Sequence, residues 1–252
     1  MIDERFIRTA MLIGEDGVNK LNNSTVLIFG VGGVGGYVAE ALARAGVGSF
    51  CVVDNDVVAL SNINRQIIAT SETVGRDKTE VIKERILSIN PYAEVEARKC
   101  FFMPENADDF DFTSFDYVID AVDTVTAKIK IIEKAKDENV RVISSMGTGN
   151  KLNPSLFKIS DISKTTVCPL AKVMRRELKK RGINHVKVLY STEEAATPEF
   201  QPDSVACEEV KAYNNAGESG ARKKQTPASI SFCPSVAGLL IAAEVIKDLL
   251  AK

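Results

Sequence analysis

Apolar and polar positions form blocks along the first 150 residues of the chain, and each block has the period of a strand or a helix. Residues 26–29 are a continuous apolar run, typical of a strand buried on both faces, and residues 34–45 carry apolar side chains at helical spacing. The same patterns predict a helix and a turn within residues 3–21, strands at 49–53, 93–97, 117–119 and 140–144, and helices at 78–89 and 125–136. This order predicts an α/β protein with a Rossmann-like, doubly wound, mostly parallel sheet and helices on both faces.

The pattern changes after residue 150. It predicts a strand of mixed polarity at 154–162, loop-like segments at 192–212 and 214–226, a short strand at 230–232, and a last helix that Pro234 opens. We therefore expect two parts. Residues 1–150 would be a Rossmann-like nucleotide-binding domain, and residues 151–252 a smaller α+β part that completes the same fold and faces the substrate.

Glycines follow the first strand directly, with Gly30, Gly32 and Gly35 in G-x-G-x-x-G spacing. A strand, a glycine turn and a helix in this order place backbone N–H groups at a helix N-terminus, where a phosphate can approach without meeting a Cβ atom. Asp54 ends the next strand, about 20 residues further on, where a carboxylate can bind ribose hydroxyls. The sequence therefore predicts a nucleotide site, but the fingerprint does not say for which nucleotide.

Further reactive side chains lie at the predicted strand ends. Because ligands of parallel sheets bind outside the carboxyl ends of the strands, Asp120, Asp123 and the turn at 145–149 can share one crevice with the ribose-binding acid. Paired carboxylates suit Mg²⁺, although Asp123 can equally cap the helix that follows it. Arg65 lies in an asparagine-rich loop, where a guanidinium suits a triphosphate, while Lys78 can also be an ordinary exposed lysine.

The net charge is −2, from 32 basic and 34 acidic residues, so no overall positive excess indicates nucleic acid. A local excess does occur, because six bases lie at helical spacing and mostly on one face: Lys172, Arg175, Arg176, Lys179, Lys180 and Arg181. That face is either a solvated surface or a footprint for a phosphate backbone, and it has no interleaved aromatic residues for base stacking.

Other residue types argue against further classes of site. The five cysteines include no C-x-x-C pair, which argues against structural zinc, and His185, the only histidine, is predicted to lie on the surface or in a loop. No leader of charged and then apolar residues is found, so we expect a cytoplasmic protein. Charges interrupt the apolar residues 236–250, which predicts a core or interface helix and no membrane span.

Six motifs resemble, in order and spacing, the ubiquitin-activating-enzyme-like superfamily, whose members adenylate a carboxylate with ATP. They are RFIR (5–8), GVGGVG (30–35), VVDNDVV (52–58), SNINRQ (61–66), VGRDK (74–78) and IDAVD (119–123). Within that superfamily the chain is similar to the bacterial tRNA threonylcarbamoyladenosine dehydratases almost to its C-terminus. That similarity is carried by RFIRTAMLIG (5–14), NINRQI (62–67), ISSMGTGNKL (143–152), DISKTTVCPLAKVMRRELKKRG (161–182) and SISFCPSVAG (229–238).

The resemblance implies roles for individual residues. It implies an ATP site formed by Gly30, Gly32, Gly33, Asp54, Asp56, Asn62, Asn64, Arg65, Lys78 and Asp123. Asp54 would hold the ribose and Asp123 a Mg²⁺ ion. Arg8, which spacing alone favours as a solvated helix charge, would reach the nucleotide of the other subunit in a homodimer. Arg65, Asp123 and Arg8 would be the catalytic residues. The tRNA would bind to Lys172, Arg175, Arg176, Lys179 and Lys180.

The implied reaction is the ATP-dependent dehydration of N6-threonylcarbamoyladenosine next to the tRNA anticodon, through an acyl-adenylate, with release of AMP and pyrophosphate. A cysteine-desulfurase sulfur-relay protein would be a further partner. Three alternatives stay open: an adenylyltransferase for the C-terminus of a ubiquitin-like sulfur carrier, a dinucleotide oxidoreductase, and a nucleotide-sensing module without turnover. The missing C-x-x-C pair, and Thr9 where the carrier-activating relatives have glutamine, argue against the first.

Overall fold

A seven-stranded sheet organises the molecule, and the computed structural model describes residues 2–200 and 227–251. The strands are β1 (Thr25–Phe29), β2 (Ser49–Asp54), β3 (Glu94–Lys99), β4 (Tyr117–Asp120), β5 (Val142–Ser145), β6 (Phe157–Asp161) and β7 (Lys187–Ser191). The main helices are α1 (Ile7–Asn22), α2 (Gly35–Ala45), α3 (Lys78–Ile89), α4 (Val125–Asp137), α5 (Pro169–Lys180) and α6 (Phe232–Leu250). None of the described helices is long and apolar enough to cross a membrane.

The strand order is β3-β2-β1-β4-β5-β7-β6, and every neighbouring pair is parallel except β6 and β7. The chain runs outward from β1 to β3, returns to the middle at β4 and continues outward on the other side. This is the doubly wound order, so the predicted Rossmann-like α/β fold is confirmed. A crevice opens where the direction reverses, outside the carboxyl ends of β1 and β4.

Helices cover both faces of the sheet, which explains why β1 is apolar at consecutive positions. Val26 and Ile28 pack in one core with residues of α2, α3 and α6, while Leu27 and Phe29 pack in the other with residues of α4 and α5. Each of these fully buried side chains contributes about 1.5–3 kcal/mol to stability. The sheet is therefore a rigid platform for the loops at its carboxyl edge.

The C-terminal part departs from the predicted elements. The strand predicted at 230–232 is wrong, because α6 begins at Phe232 and Pro234 lies in its first turn, where a missing N–H breaks no helical bond. β7 has no predicted counterpart, although it lies between β5 and β6. Strands from both sides of residue 150 therefore share one sheet. Residues 201–226, which hold most of the two loop-like segments, lie outside the described residues.

Candidate active site

The glycine turn between β1 and α2 is packed so closely that two of its glycines have no room for a side chain. Gly30 has a φ of +83°, and a Cβ atom built on it would lie 2.8 Å from the carbonyl oxygen of Ala121. A Cβ atom on Gly35 would lie 1.8 Å from the carbonyl oxygen of Gly30. Because Gly35 is also the first residue of α2, the turn stands at the positive end of the helix dipole, as a phosphate site requires.

Asp54 ties this glycine turn to the loop after β2. Its Oδ2 accepts a hydrogen bond from the N–H of Val31 at 2.8 Å, and its Oδ1 accepts one from the N–H of Asp56 at 2.9 Å. Burial raises the pKa of Asp54, and the positive charge of Lys78 opposes that rise. Each carboxylate oxygen keeps a second lone pair, so the group can still accept from ribose hydroxyls.

Lys78 is the first residue of α3, and its side chain is only 5% exposed. Its Nζ lies 2.8 Å from Oδ2 of Asp56. It is therefore not an ordinary exposed lysine. The ion pair holds an ammonium group beside Asp54, where it can meet a bound phosphate.

The loop that carries Arg65 packs against the glycine turn. Nη1 of Arg65 donates to the carbonyl oxygen of Ser61 at 2.9 Å and to Oδ1 of Asn64 at 3.0 Å. The side chain of Asn62 is buried, and its Oδ1 accepts from the N–H of Ala59 at 3.2 Å. A Cβ atom on Gly33 would lie 3.7 Å from Cγ of Arg65. The structure thus brings the predicted arginine to the predicted phosphate loop.

Asp120 does not pair with Asp123 as a metal ligand, contrary to the sequence prediction. Its fully buried carboxylate forms an ion pair with Nζ of Lys128, at 3.1 and 3.0 Å from its two oxygens, and accepts a hydrogen bond from Ser144. Lys128 also donates to the carbonyl oxygen of Val122 at 2.9 Å. A carboxylate neutralised in this way holds the backbone turn after β4 in place and is not free to bind a cation.

Asp123 follows that turn and is exposed, with Oγ1 of Thr124 at 3.4 Å from its Oδ1. In the described part of the chain, no group of three His, Cys, Asp or Glu residues could hold a metal ion. Magnesium bound to a nucleotide keeps several waters and takes one or two carboxylates together with the phosphates. A single exposed carboxylate at this edge of the sheet fits such an ion.

Arg8, which the resemblance implies to be catalytic, belongs to the N-terminal helix. It is exposed on α1, where it makes no hydrogen bond or ion pair with the described residues. Its neighbours Met11 and Leu12 are 82% and 86% exposed, and Ile7 is 47% exposed. An arginine on a helix with three exposed apolar side chains is typical of a surface that another protein chain covers.

The basic residues predicted to bind tRNA lie on α5. Lys172, Arg176, Lys179 and Lys180 are exposed there, but Arg175 is half-buried, and its Nη1 donates to the carbonyl oxygen and Oγ1 of Thr165 at 2.9 and 2.5 Å. Glu177 lies among these bases and pairs with Arg176 and Lys180. The free positive charge of this helix therefore belongs chiefly to Lys172 and Lys179.

The described cysteines are buried or half-buried, and His185 is exposed, as the sequence predicted for it. Burial raises the pKa of Cys51 to about 12 and also raises that of Cys233, whose Sγ donates to the carbonyl oxygen of Lys151 at 3.1 Å. Cys233 packs in the core, and Cys168 is also buried. His185 is 79% exposed. Cys207 lies outside the described residues.

Sequence reasoning missed two features of the site. A signal for Lys128 was present, because it is a lysine among apolar residues on α4, eight positions after Asp120. The second feature is the contact between Asn64 and Ser229, which no local sequence pattern predicts. Nδ2 of Asn64 donates to the carbonyl oxygen of Ser229 at 2.9 Å, and 165 positions separate the two residues along the chain.

Known proteins are similar to this chain in sequence and in fold. The model of the ThiF family matches residues 6–252. The chain is 44% identical over 248 residues to a tRNA threonylcarbamoyladenosine dehydratase of Bacillus subtilis (strain 168), covering 98% of this chain and 94% of that protein.

Two solved structures of the E. coli tRNA N6-threonylcarbamoyladenosine dehydratase are also similar, at 29% identity. The complex with AMP superposes with a TM-score of 0.85 and the complex with ATP with 0.84, and each match covers 99% of this chain and 97% of the other.

Proposed function

Because the chain belongs to the ThiF family, we propose that it is an ATP-dependent enzyme that dehydrates N6-threonylcarbamoyladenosine in tRNA, next to the anticodon. The observation that carries this proposal is the set of contacts that runs from the glycine turn through Asp54 and Asp56 to Lys78. From the same turn, Gly33 packs against Arg65. Similarity over nearly the full length to a dehydratase supports the choice of substrate.

The nucleotide would occupy the crevice with its phosphates on the glycine turn, at Gly30, Gly32 and Gly33, and its ribose on Asp54. Lys78, supported by Asp56, and Arg65, beside Asn62, would bind the phosphates and stabilise the negative charge that develops during transfer. Mg²⁺, held by Asp123 and the phosphates, would withdraw charge from the phosphoryl oxygens.

The proposed reaction has two steps that balance. An oxygen of the threonylcarbamoyl carboxylate attacks the α-phosphorus of ATP, and pyrophosphate leaves with the electron pair of the broken P–O bond. The neighbouring ureido group then attacks the acyl carbon, its proton passes to solvent, and AMP leaves. The carboxylate oxygen departs with AMP, so the nucleoside becomes lighter by one water. The substrate supplies its own nucleophile, which fits the buried cysteines described above.

The surroundings of the crevice support the proposed partners. The exposed bases of α5 would contact the phosphate backbone of tRNA. The exposed apolar residues around Arg8 would pack against a second copy of the chain and bring Arg8 to the partner's nucleotide. A tRNA substrate makes the cytoplasm the expected place of action, and a sulfur-relay protein stays a proposed further partner.

Pyrophosphate release from ATP and Mg²⁺ tests the proposal, measured with threonylcarbamoylated tRNA, with unmodified tRNA and without RNA. We expect release with the modified tRNA only, and a nucleoside lighter by one water in mass analysis. Release that does not depend on tRNA would instead indicate an adenylyltransferase for a carrier protein. Binding of ATP without any release would indicate a nucleotide-sensing module.

A further inference from the structure

Asn64 carries an amide whose two polar atoms both have partners within the protein. Its Nδ2 donates to the carbonyl oxygen of Ser229 at 2.9 Å, and its Oδ1 accepts from Nη1 of Arg65 at 3.0 Å. Ser229 belongs to residues 227–231, called the pre-helix segment below, which lead directly into α6. The amide therefore bridges Arg65 and the start of the last helix.

The pre-helix segment is also held at the carboxyl end of β5. The N–H of Asn150 donates to the carbonyl oxygen of Ala228 at 2.7 Å, and its Oδ1 accepts from the N–H of Ala228 at 2.7 Å. Beyond the segment, Cβ of Pro234 would lie 3.1 Å from a Cβ atom on Gly33. The start of α6 and the segment before it thus join three loops of the site: the glycine turn, the Arg65 loop and the loop after β5.

We propose that Asn64 is a positioning residue that couples the orientation of Arg65 to the docking of the pre-helix segment, and that it acts on the phosphates only through Arg65. The carbonyl oxygen of Ser61 holds Nη1 of Arg65 from within its own loop, at 2.9 Å. Asn64 adds a restraint that reaches this guanidinium from the distant end of the chain.

This inference rests on the proposed function, in which Arg65 stabilises charge that develops at the phosphates. Charge stabilisation of that kind depends on a preorganised donor, so a loosely held Arg65 slows the chemical step more than it weakens nucleotide binding. A direct phosphate ligand would instead contribute to the affinity for ATP. A positioning residue therefore changes kcat, whereas a direct phosphate ligand changes the Kd for ATP.

Two substitutions at Asn64 test the bridge. Asn64→Ala removes both hydrogen bonds, whereas Asn64→Asp keeps an acceptor for Arg65 and loses the donor to Ser229. For Asn64→Ala we expect kcat for pyrophosphate release to fall about tenfold, while the Kd for ATP, measured by calorimetry, stays within about twofold. Asn64→Asp should also lower kcat, but its carboxylate pairs with Arg65 and repels the phosphates, so this variant should raise the Kd for ATP as well. Because Asn64 is exposed, the melting temperature should not change. Asn184→Ala, an exposed amide on the loop after α5, is the matched control and should change none of these values.

Asn150→Gly tests the coupling from the other end of the segment. Asn150 has a φ of 57°, which glycine adopts without strain, so this variant removes only the side-chain acceptor of Ala228. It should also lower kcat without changing the Kd for ATP. The double variant Asn64→Ala/Asn150→Gly should lose less activity than the product of the two single effects, because both act through one segment.

The outcomes that overturn the inference are specific. A higher Kd for ATP with an unchanged kcat in Asn64→Ala would identify a direct phosphate ligand. Unchanged kcat and Kd would identify a contact without a role, and independent effects in the double variant would exclude the coupling. A wild-type protein that releases no pyrophosphate overturns the proposed function together with this inference, whereas an active wild type with unaffected variants overturns the inference alone.

Discussion

At the scale of single residues, the glycines of the turn between β1 and α2 have two separate roles: some allow the turn to form, and one leaves space for a ligand. Gly30 and Gly35 have backbone atoms where a Cβ would be, so they are needed to build the turn. A Cβ atom on Gly32 would meet only the amide of Gln66, at an ordinary 3.5 Å. Gly32 is therefore dispensable for folding, and its lack of a side chain leaves space for a ligand.

Alanine substitutions should separate these purposes. We expect Gly32→Ala to keep the free energy of unfolding within about 0.5 kcal/mol of the wild type and to weaken ATP binding. Gly35→Ala should lower both the free energy of unfolding and the affinity for ATP, because the added methyl group requires the backbone to move. Gly14→Ala is the control: its φ is +80° with nothing within 4 Å of the added Cβ, so only strain of about 1–2 kcal/mol is expected. Urea denaturation and calorimetry provide the measurements, and equal losses of ATP affinity in Gly32→Ala and Gly14→Ala would contradict the assignment.

The turn from β4 to α4 shows how elements position the site. The ion pair of Asp120 and Lys128 is fully buried and also holds the carbonyl oxygen of Val122, one residue before Asp123. The same turn lies against Gly30, since Ala121 blocks a Cβ there. The buried ion pair therefore orders both the backbone that leads to Asp123 and the backbone that packs against the glycine turn.

Removing one partner of this pair should lower the free energy of unfolding more than removing both charges does. We expect Lys128→Met to lower the free energy of unfolding by about 3–5 kcal/mol, because it leaves a buried carboxylate unpaired. The double variant Lys128→Met/Asp120→Asn should recover a large part of that loss, measured by urea denaturation. A double variant less stable than Lys128→Met would show that the ion pair itself, and not the unpaired charge, dominates.

Helix α5 presents the charge expected to attract tRNA. Thr165 holds Arg175, and Glu177 pairs with three other bases, Arg176, Lys180 and Arg181. Lys172 and Lys179 are therefore the informative positions. We expect Lys172→Glu/Lys179→Glu to weaken tRNA binding about tenfold at low salt and less at high salt, with no change in ATP affinity.

A control with the same change of charge is available on two other helices, α4 and α6. Lys136 and Lys247 are exposed near the C-terminal ends of α4 and α6, so Lys136→Glu/Lys247→Glu should leave tRNA binding nearly unchanged. Filter binding or fluorescence anisotropy over a salt series compares the pairs. Equal losses in both would show that net charge, and not the α5 surface, determines binding.

At the scale of the whole molecule, contacts of Asp248 hold the last helix, α6, against the sheet. Asp248 accepts from the hydroxyl of Tyr117 on β4 at 2.6 Å and pairs with Lys187 on β7 at 2.7 Å. Burial opposes ionisation of Asp248, but the hydrogen bonds from Lys187 and Tyr117 outweigh it and lower the pKa of this carboxyl. The ionised form is thus favoured in the folded state relative to the unfolded chain.

This preference makes stability depend on pH in a defined direction. The stabilisation is present above the pKa of an aspartate in the unfolded chain and is lost as the pH falls through the lowered pKa of Asp248. Asp248→Asn should therefore cost about 1–3 kcal/mol near neutral pH and little in strong acid. Urea denaturation over a pH series measures the difference, and a cost that does not change with pH would contradict this account.

Assembly is the remaining property at this scale. If Arg8 serves the partner's site, Arg8→Ala and Arg65→Ala should each be inactive, and a mixture allowed to exchange subunits should regain about one quarter of wild-type activity. Half of the dimers would then be mixed, with one intact site each. Mixing that restores no activity, in subunits shown to exchange, would place Arg8 in the site of its own chain.

The sequence by itself determined the doubly wound order, the nucleotide fingerprint and the family, because these depend on local periods and short motifs. Both the glycine turn and Asp54 could be placed in this way. Local patterns failed where long-range contacts decide. β7 became a strand by inserting between β5 and β6, and residues 230–232 did not, because α6 begins at Phe232.

Only the tertiary structure decided how the side chains of the site are used. Asp120 and Asp123 are equivalent in the sequence, but Asp120 forms a buried ion pair with Lys128, whereas Asp123 is exposed. Asn64 finds its partner 165 residues away. Hydrogen bonds and ion pairs act over a few ångströms of space whatever the separation along the chain, so the fold must exist before these partners are defined.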